Sequence, residues 1–294
     1  MDHEVTEQPR TTASAGDGRA AELYLDLLKK TLTRSAFAGR YQTIQPLHGS
    51  WKRLLYAAHL PIRHALGAAG IELVRRTGFD PQHRAEGRDI PPDAETMIGL
   101  RRLDNIQACL TDVIEQGVPG DLIETGVWRG GATIFMRGVL AAYGDEERTV
   151  WVADSFRGLP HPDSTRYADD PGDSFWRNPH LAVPVEEVRE NFRRYGLLDD
   201  QVRFLEGWFE DTLPDAPIDR LALVRLDGDM YGSTMVALES LYPKLSVGGY
   251  VLVDDYGGGA PECTRAVDEF RERESISEPI VAVDWNGAYW QKLR

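Results

Sequence analysis

Apolar positions recur along the chain in two rhythms, and the change from one to the other divides it. Between Arg19 and Thr33, Leu23, Leu27 and Thr31, with Tyr24, Leu28 and Leu32, return every three or four residues. That is the period of an amphipathic helix docked on the main body. Met1 to Gly18 is polar and predicts a disordered tail. Trp51 to Arg76 carries two helical patterns broken at Pro61, mixing Leu54, Leu55, Ile62 and Leu66 with Lys52, Arg53, Arg75 and Arg76. The pair reads as a cap packed on the core with its basic groups in water. Phe79 to Pro92, with Pro, Gly and alternating charges, reads as a linker ending near Thr96. Residues 19–95 are therefore expected to form an N-terminal helical cap.

After Thr96-Met97-Ile98-Gly99 a helix places Leu100, Leu103, Ile106, Leu110 and Val113 on one face and stops at Gly117 and Pro119. From there short apolar runs alternate with helical ones. The strands expected are Leu122–Thr125, Val150–Ala153, Val202–Leu205, Leu221–Leu226, Tyr250–Val253, Ile280–Val283 and Ala288–Gln291; the helices are Ala132–Tyr143, Val185–Tyr195, Thr234–Leu245 and Cys263–Arg273. Strands separated by helices need crossover connections, so residues 96–294 predict an α/β fold with a Rossmann-like, doubly wound, mostly parallel seven-stranded sheet. The last two strands fit an antiparallel hairpin turning at Asn286-Gly287. The aperiodic stretch Arg157 to Pro184 is long for a compact domain and lies on the ligand face, as a substrate lid would.

Composition narrows the function. At 294 residues and 42% hydrophobic content the chain can bury a substantial core, and its net charge of −14 argues against nucleic acid as a partner. The two cysteines, Cys109 and Cys263, lie far apart with no CxxC spacing, which supports neither a disulfide framework nor a cysteine zinc site. There is no basic-then-apolar leader and no long uncharged apolar run. A cytoplasmic location without membrane insertion is expected.

The chemistry collects at strand ends. In Glu124-Thr125-Gly126-Val127-Trp128-Arg129-Gly130 the first glycine turns the chain out of a strand, and the second would let a ligand approach the backbone where a helix begins. The spacing departs from GxGxxG, and Glu124 suits a cationic ligand better than a pyrophosphate. Asp154 closes the second strand, where a carboxylate can accept both ribose hydroxyls; Gly207-Trp208-Phe209 follows the third, where two aromatic faces can hold a purine. Together these describe S-adenosylmethionine. Asp227 and Asp229 follow the fourth strand, and Asp254 and Asp255 the fifth. Neighbouring strands lie about 4.8 Å apart, so such carboxylates can converge on a hard cation such as Mg²⁺. The histidines show no zinc spacing.

The segments Thr96-Met-Ile-Gly-Leu, Ile123-Glu-Thr-Gly-Val-Trp-Arg-Gly-Gly, Val152-Ala-Asp-Ser-Phe-Arg-Gly-Leu-Pro, Arg194-Tyr-Gly-Leu-Leu-Asp-Asp-Gln-Val-Arg-Phe-Leu, Gly207-Trp-Phe, Leu226-Asp-Gly-Asp-Met-Tyr-Gly-Ser-Thr and Val253-Asp-Asp-Tyr resemble the macrocin O-methyltransferase family. The resemblance covers about residues 20–33 and 96–294. It implies a class I methyltransferase fold, and methylation of sugar hydroxyls on antibiotics with S-adenosylmethionine and Mg²⁺. Carried over by position, it implies that Asp227, Asp254 and Asp255 bind the metal, that Glu124, Gly126, Asp154, Ser155, Trp208 and Phe209 surround the cofactor, and that Thr96, Met97 and Arg129 adjoin it. It also implies a homo-oligomer, dimer or higher, with N-terminal elements near the active site. Asp227 is assigned both as metal ligand and as proton acceptor, with His161 or His180 of the lid as the alternative base. A catechol or phenol is the rival acceptor, and a non-catalytic cofactor-binding protein is the rival from another class.

Overall fold

The computed structural model describes residues 15–37, 41–43, 65–71, 74–76, 78, 80–89, 91, 93–162, 175–258 and 261–294. The segment 1–14, residues 44–64, which hold the first expected cap helix, and residues 163–174 of the expected lid lie outside the described residues.

Helix α1 (Ala15–Leu32) begins earlier than its apolar period suggests, so the last part of the expected tail, residues 15–18, is helical. Its buried stripe is Leu25, Leu28 and Leu32, whereas Leu23 and Leu27 are 62% and 60% exposed. Of the two rows read from the sequence, the one through Leu28 and Leu32 faces inward. Strands β1 (Tyr41–Thr43) and β2 (Val74–Arg76) pair antiparallel. The end of the second expected cap helix is therefore a strand: after Gly70 the β-branched Val74 opens an extended run that pairs with Thr43. The expected linker is also ordered in part. Helix α2 (Pro81–Ala85) starts on Asp80, whose carboxylate accepts the N–H groups of Gln82 at 2.9 Å and His83 at 3.2 Å. It carries Arg84 into the interior, where the guanidinium donates to the carbonyls of Met97 and Ile98.

Helix α3 (Leu100–Glu115) buries the predicted face. The alternating region follows as β3 (Asp121–Thr125), α4 (Gly131–Tyr143), β4 (Val150–Asp154), α5 (Val185–Arg194), β5 (Val202–Glu206), α6 (Phe209–Thr212), β6 (Leu221–Leu226), α7 (Tyr231–Leu241), β7 (Leu245–Val253), α8 (Pro261–Arg273), β8 (Val281–Ala282) and β9 (Ala288–Gln291). The sheet order is β5-β4-β3-β6-β7-β9-β8; the first five strands run parallel, and β9 is antiparallel to both neighbours. This is the class I methyltransferase arrangement, with the hairpin turning near Gly287 as expected. Strand β7 starts at Leu245 rather than Tyr250, because its glycine-containing first half still pairs with Leu221 across a register shift. Helix α7 stops at Leu241 because Pro243 forces a 3-10 turn at Tyr242–Lys244.

Period-2 alternation sends successive strand residues into two cores. Leu122, Val150 and Val152 face α1, α3, α4 and α5, whereas Ile123, Trp151 and Ala153 join the α7–α8 core. Leu28 lies against Gly138 of α4, where a Cβ would collide with it, so α1 sits close on the sheet's outer layer. Because β4 lies on one side of β3 and β6 on the other, the strand order reverses at β3, and the crevice above its carboxyl end is where such folds bind ligands.

Candidate active site

Each strand that ends in this crevice breaks in a way its residues dictate. Gly126 leaves β3 at φ 87°, and a Cβ there would overlap the carbonyl oxygen of Asp227. The turn is thus packed onto the loop after β6. Asp154 ties it to the loop after β4, accepting the N–H groups of Val127 at 2.8 Å and Phe156 at 2.7 Å. Burial raises the Asp154 pKa, and those N–H bonds oppose the rise. Trp128 and Asp229 hold left-handed backbone at φ 48° and 57°, and both line the cleft. Such strain in non-glycine residues collects at functional sites. The Trp128 indole N–H donates to the carbonyl of His180 at 2.8 Å, joining the glycine turn to the end of the expected lid.

Of the residues expected around the cofactor, Met97, Gly126, Asp154, Ser155, Gly207, Trp208, Phe209 and Asp227 line one cleft. Thr96, Glu124, Thr125, Arg129 and Gly130 stand outside its lining. Glu124 is buried and ion-paired to Arg225 of β6; burial, only partly offset by that guanidinium, pushes its pKa up to about 8. The cation it meets is internal. Gly130 caps α4, and an added Cβ would lie 2.7 Å from Val188 Cγ1, so its bareness makes room for α5 rather than a ligand. Arg129 donates to the carbonyl of Ala94 at 3.1 Å, Thr96 accepts the N–H of Ile98 at 3.3 Å, and Thr125 bonds across to the carbonyl of Arg225 at 3.4 Å. These three brace the wall from behind. His161 lines the cleft and stacks on Trp176 with ring centroids 4.4 Å apart, while His180 contributes its carbonyl.

Asp227, Asp254 and Asp255 converge, each offering one carboxylate oxygen, with all three atoms within 4.8 Å of one another. Asp227 lines the cleft, and the other two lie behind it at the end of β7. Burial and the neighbouring Asp254 raise the Asp227 pKa to about 6, despite Arg225. Burial and the facing acids push Asp255 well up. Burial acts to raise Asp254 too, but Arg102 and Arg225 more than offset it and hold its pKa low. The Oδ2 atom of Asp255 is buried without a hydrogen-bond partner. A buried orphan oxygen among three convergent carboxylates fits a hard divalent cation. Trp128, inside the glycine motif, lines the cleft without having been assigned a role from sequence, and Asp229, one of the four strand-end acids, lines the cleft rather than joining the three convergent carboxylates.

Residues 21–292 match the profile of the family described as Macrocin-O-methyltransferase (TylF). The chain belongs to this family. It is an S-adenosylmethionine-dependent O-methyltransferase, and the match runs through the segment between 34 and 95 that the motifs left uncovered. Over 221 residues, 75% of this chain and 84% of the relative, it is 56% identical to the demethyldecarbamoylnovobiocin O-methyltransferase of Streptomyces niveus. Over 273 residues, 92% of this chain and 93% of the relative, it is 50% identical to the 8-demethyl-8-(2,3-dimethoxy-alpha-L-rhamnosyl)-tetracenomycin-C 4'-O-methyltransferase of Streptomyces olivaceus. The solved structure of the O-methyltransferase NovP superposes with a TM-score of 0.78 at 48% identity, covering 93% of this chain and all of that one. Among the described residues no helix is long and apolar enough to cross a membrane.

Proposed function

We propose that this methyltransferase alkylates a sugar hydroxyl on a glycosylated natural product, with Mg²⁺ held by Asp227, Asp254 and Asp255. The observation that carries the reading is the convergence of those carboxylates beside the cleft that Gly126, Asp154, Trp208 and Phe209 line. The rhamnosyl acceptor named for the Streptomyces olivaceus relative supports a sugar. The cofactor supplies an electrophilic methyl group, and the metal a Lewis acid that lowers the pKa of a hydroxyl. With the cofactor bound, the hydroxyl oxygen would take the methyl group as the carbon–sulfur bond breaks with its electron pair left on sulfur, and a carboxylate of this chain would accept the hydroxyl proton. Asp154 would take the ribose hydroxyls, and the Trp208 and Phe209 rings the purine. Leu159 and His161 beside the cleft support the lid reading for the loop after β4.

Asp227 serves as proton acceptor as well as ligand in this reading. A second assignment is favoured by one observation: Asp229 lines the cleft from left-handed backbone. Asp229→Asn and Asp227→Asn separate the two. A base at Asp229 makes the first variant lose roughly a hundredfold or more in kcat while Mg²⁺ binding persists; full turnover in that variant returns the role to Asp227.

The test of the substrate class is mass spectrometry for the gain of one methylene across glycosylated natural products, with Mg²⁺ and cofactor supplied. Methylation of catechols in preference to every glycoside would overturn the sugar reading, and full activity after exhaustive EDTA treatment the metal. The exposed Leu23 and Leu27 support a homo-oligomer, dimer or higher; a monomer mass by light scattering at working concentration rejects the oligomer. A cytoplasmic location belongs to the same reading and rests on the biosynthetic family.

A further inference from the structure

Strand β6 crosses the core as an apolar run interrupted by one guanidinium, that of Arg225, which is 2% exposed. A charge that deep persists only if it is paired and hydrogen-bonded. Arg225 Nη1 donates to Oε1 of Glu124 on β3 and, at 2.7 Å, to Oδ2 of Asp227; Nη2 donates to Oδ1 of Asp254 after β7. One planar group thus spans the carboxyl ends of three adjacent strands. Arg102 on α3 approaches from the other side, with Nη1 on Oδ2 of Asp254 at 2.6 Å and Nε on Oδ2 of Asp284 at 2.9 Å. Asp284 is fixed by the hairpin turn, since its Oδ1 accepts the N–H groups of Asn286 at 3.0 Å and Gly287 at 2.8 Å.

The consequence lies in how each acid is turned. Both oxygens of Asp254 accept from arginine, and so does one oxygen of Asp227. Each such oxygen keeps a second lone pair for a cation, but the arginines fix the carboxylate planes, and swinging both oxygens of one acid onto a single ion would break those bonds. Asp255 differs, with Oδ1 on Asn286 at 2.9 Å and a bare Oδ2. Magnesium takes six oxygens in near-ideal octahedral geometry and is content with single carboxylate oxygens plus water or substrate. Calcium takes six to eight, commonly with two from one carboxylate.

We propose that Arg225, supported by Arg102, is a positioning residue that restricts Asp227 and Asp254 to one-oxygen ligation and thereby sets the site's preference for Mg²⁺ over Ca²⁺. The inference rests on the reading of Asp227, Asp254 and Asp255 as the metal site.

Calorimetric titration of the full chain with MgCl₂ and with CaCl₂ tests it. Wild type should bind Mg²⁺ more tightly than Ca²⁺. The variant Glu124→Gln/Arg225→Met removes the guanidinium together with Glu124, the one of its three acids outside the metal cluster, and should shift the affinity ratio toward Ca²⁺ by about tenfold. Arg225→Lys should shift it less, because an ammonium keeps the charge but cannot bridge three carboxylates as a planar fork does. The pair Arg102→Met/Asp284→Asn frees Oδ2 of Asp254 from outside the sheet and makes the same test should the first variant fail to fold. An unchanged ratio in a folded double variant, confirmed by circular dichroism, overturns the proposal and leaves the metal site standing. Wild type that binds neither ion overturns the metal reading and the proposal with it.

Discussion

The two halves of the cleft hold their carboxylates by different means. On the β3–β4 side Asp154 is fixed by the main-chain N–H groups of Val127 and Phe156, donors that no side-chain substitution removes. On the β6–β7 side Asp227 and Asp254 are fixed by Arg225 and Arg102, so acid and counter-ion can be exchanged, titrated or separated one at a time. A recognition surface of near-constant shape can be built from backbone. A site that receives a cation needs acids whose charge is balanced in its absence, and side-chain guanidinium groups supply that balance.

Four measurements bear on the contrast. Arg225→Ala leaves Glu124, Asp227 and Asp254 facing one another in the interior, and should cost about 3–5 kcal/mol in urea unfolding. A loss as small as that of a surface substitution would erase the distinction between the halves. Asp154→Asn keeps one acceptor but turns an amide N–H₂ toward a main-chain donor, and should cost about 1–3 kcal/mol with part of the adenosylmethionine affinity. A loss matching that of Arg225→Ala would make the two sides equivalent.

The third measurement is pH dependence without added cation. With Glu124 pushed up to about 8 and Asp227 to about 6, the folded protein holds protons that the unfolded chain has released. Their contribution to stability should therefore be lost as pH rises from their ordinary values of 3.8 and 4.5, that of Asp227 by about 6 and that of Glu124 by about 8, and added Mg²⁺ should flatten the slope of melting temperature against pH. A slope indifferent to Mg²⁺ contradicts the prediction. The smallest effect belongs to the pair of buried Arg137 and half-exposed Asp199, joined at 2.6 Å and lining no part of the cleft. Hydrogen bonding from Arg137 lowers the Asp199 pKa below its ordinary 3.8, so the pair's contribution is present above that value and is lost as pH falls through the lower folded value. Wild type and Asp199→Asn should melt at slightly different temperatures at pH 6 and converge as the acid protonates.

What could be read from sequence follows the same division. Gly126, Asp154, Trp208 and Asp227 each stand at or within two residues of the end of a strand, and apolar runs mark where strands end, so their convergence was legible. The roles of Glu124 and Gly130 depend on residues far along the chain. Arg225 neutralises the first and Val188 fills the space beside the second, and neither partner carries a local signal that names its mate. Arg225 did leave a trace, as the single charge inside Leu221–Leu226. Arg84 left none: Pro81–Ala85 has a linker's composition, and its burial depends on the carbonyls of Met97 and Ile98. In α1 the periodicity was plain, but only packing on Gly138 decides which of two leucine rows faces inward.

The hairpin of β8 and β9 sets the order in which the enzyme can be completed. Its turn supplies Asp284, which anchors Arg102, and Asn286, whose amide donates to the Asp254 carbonyl at 3.1 Å and to Oδ1 of Asp255 at 2.9 Å. A chain emerging from the ribosome presents the turn well after the acids it braces. The acid cluster is therefore braced only once the hairpin has closed against β7.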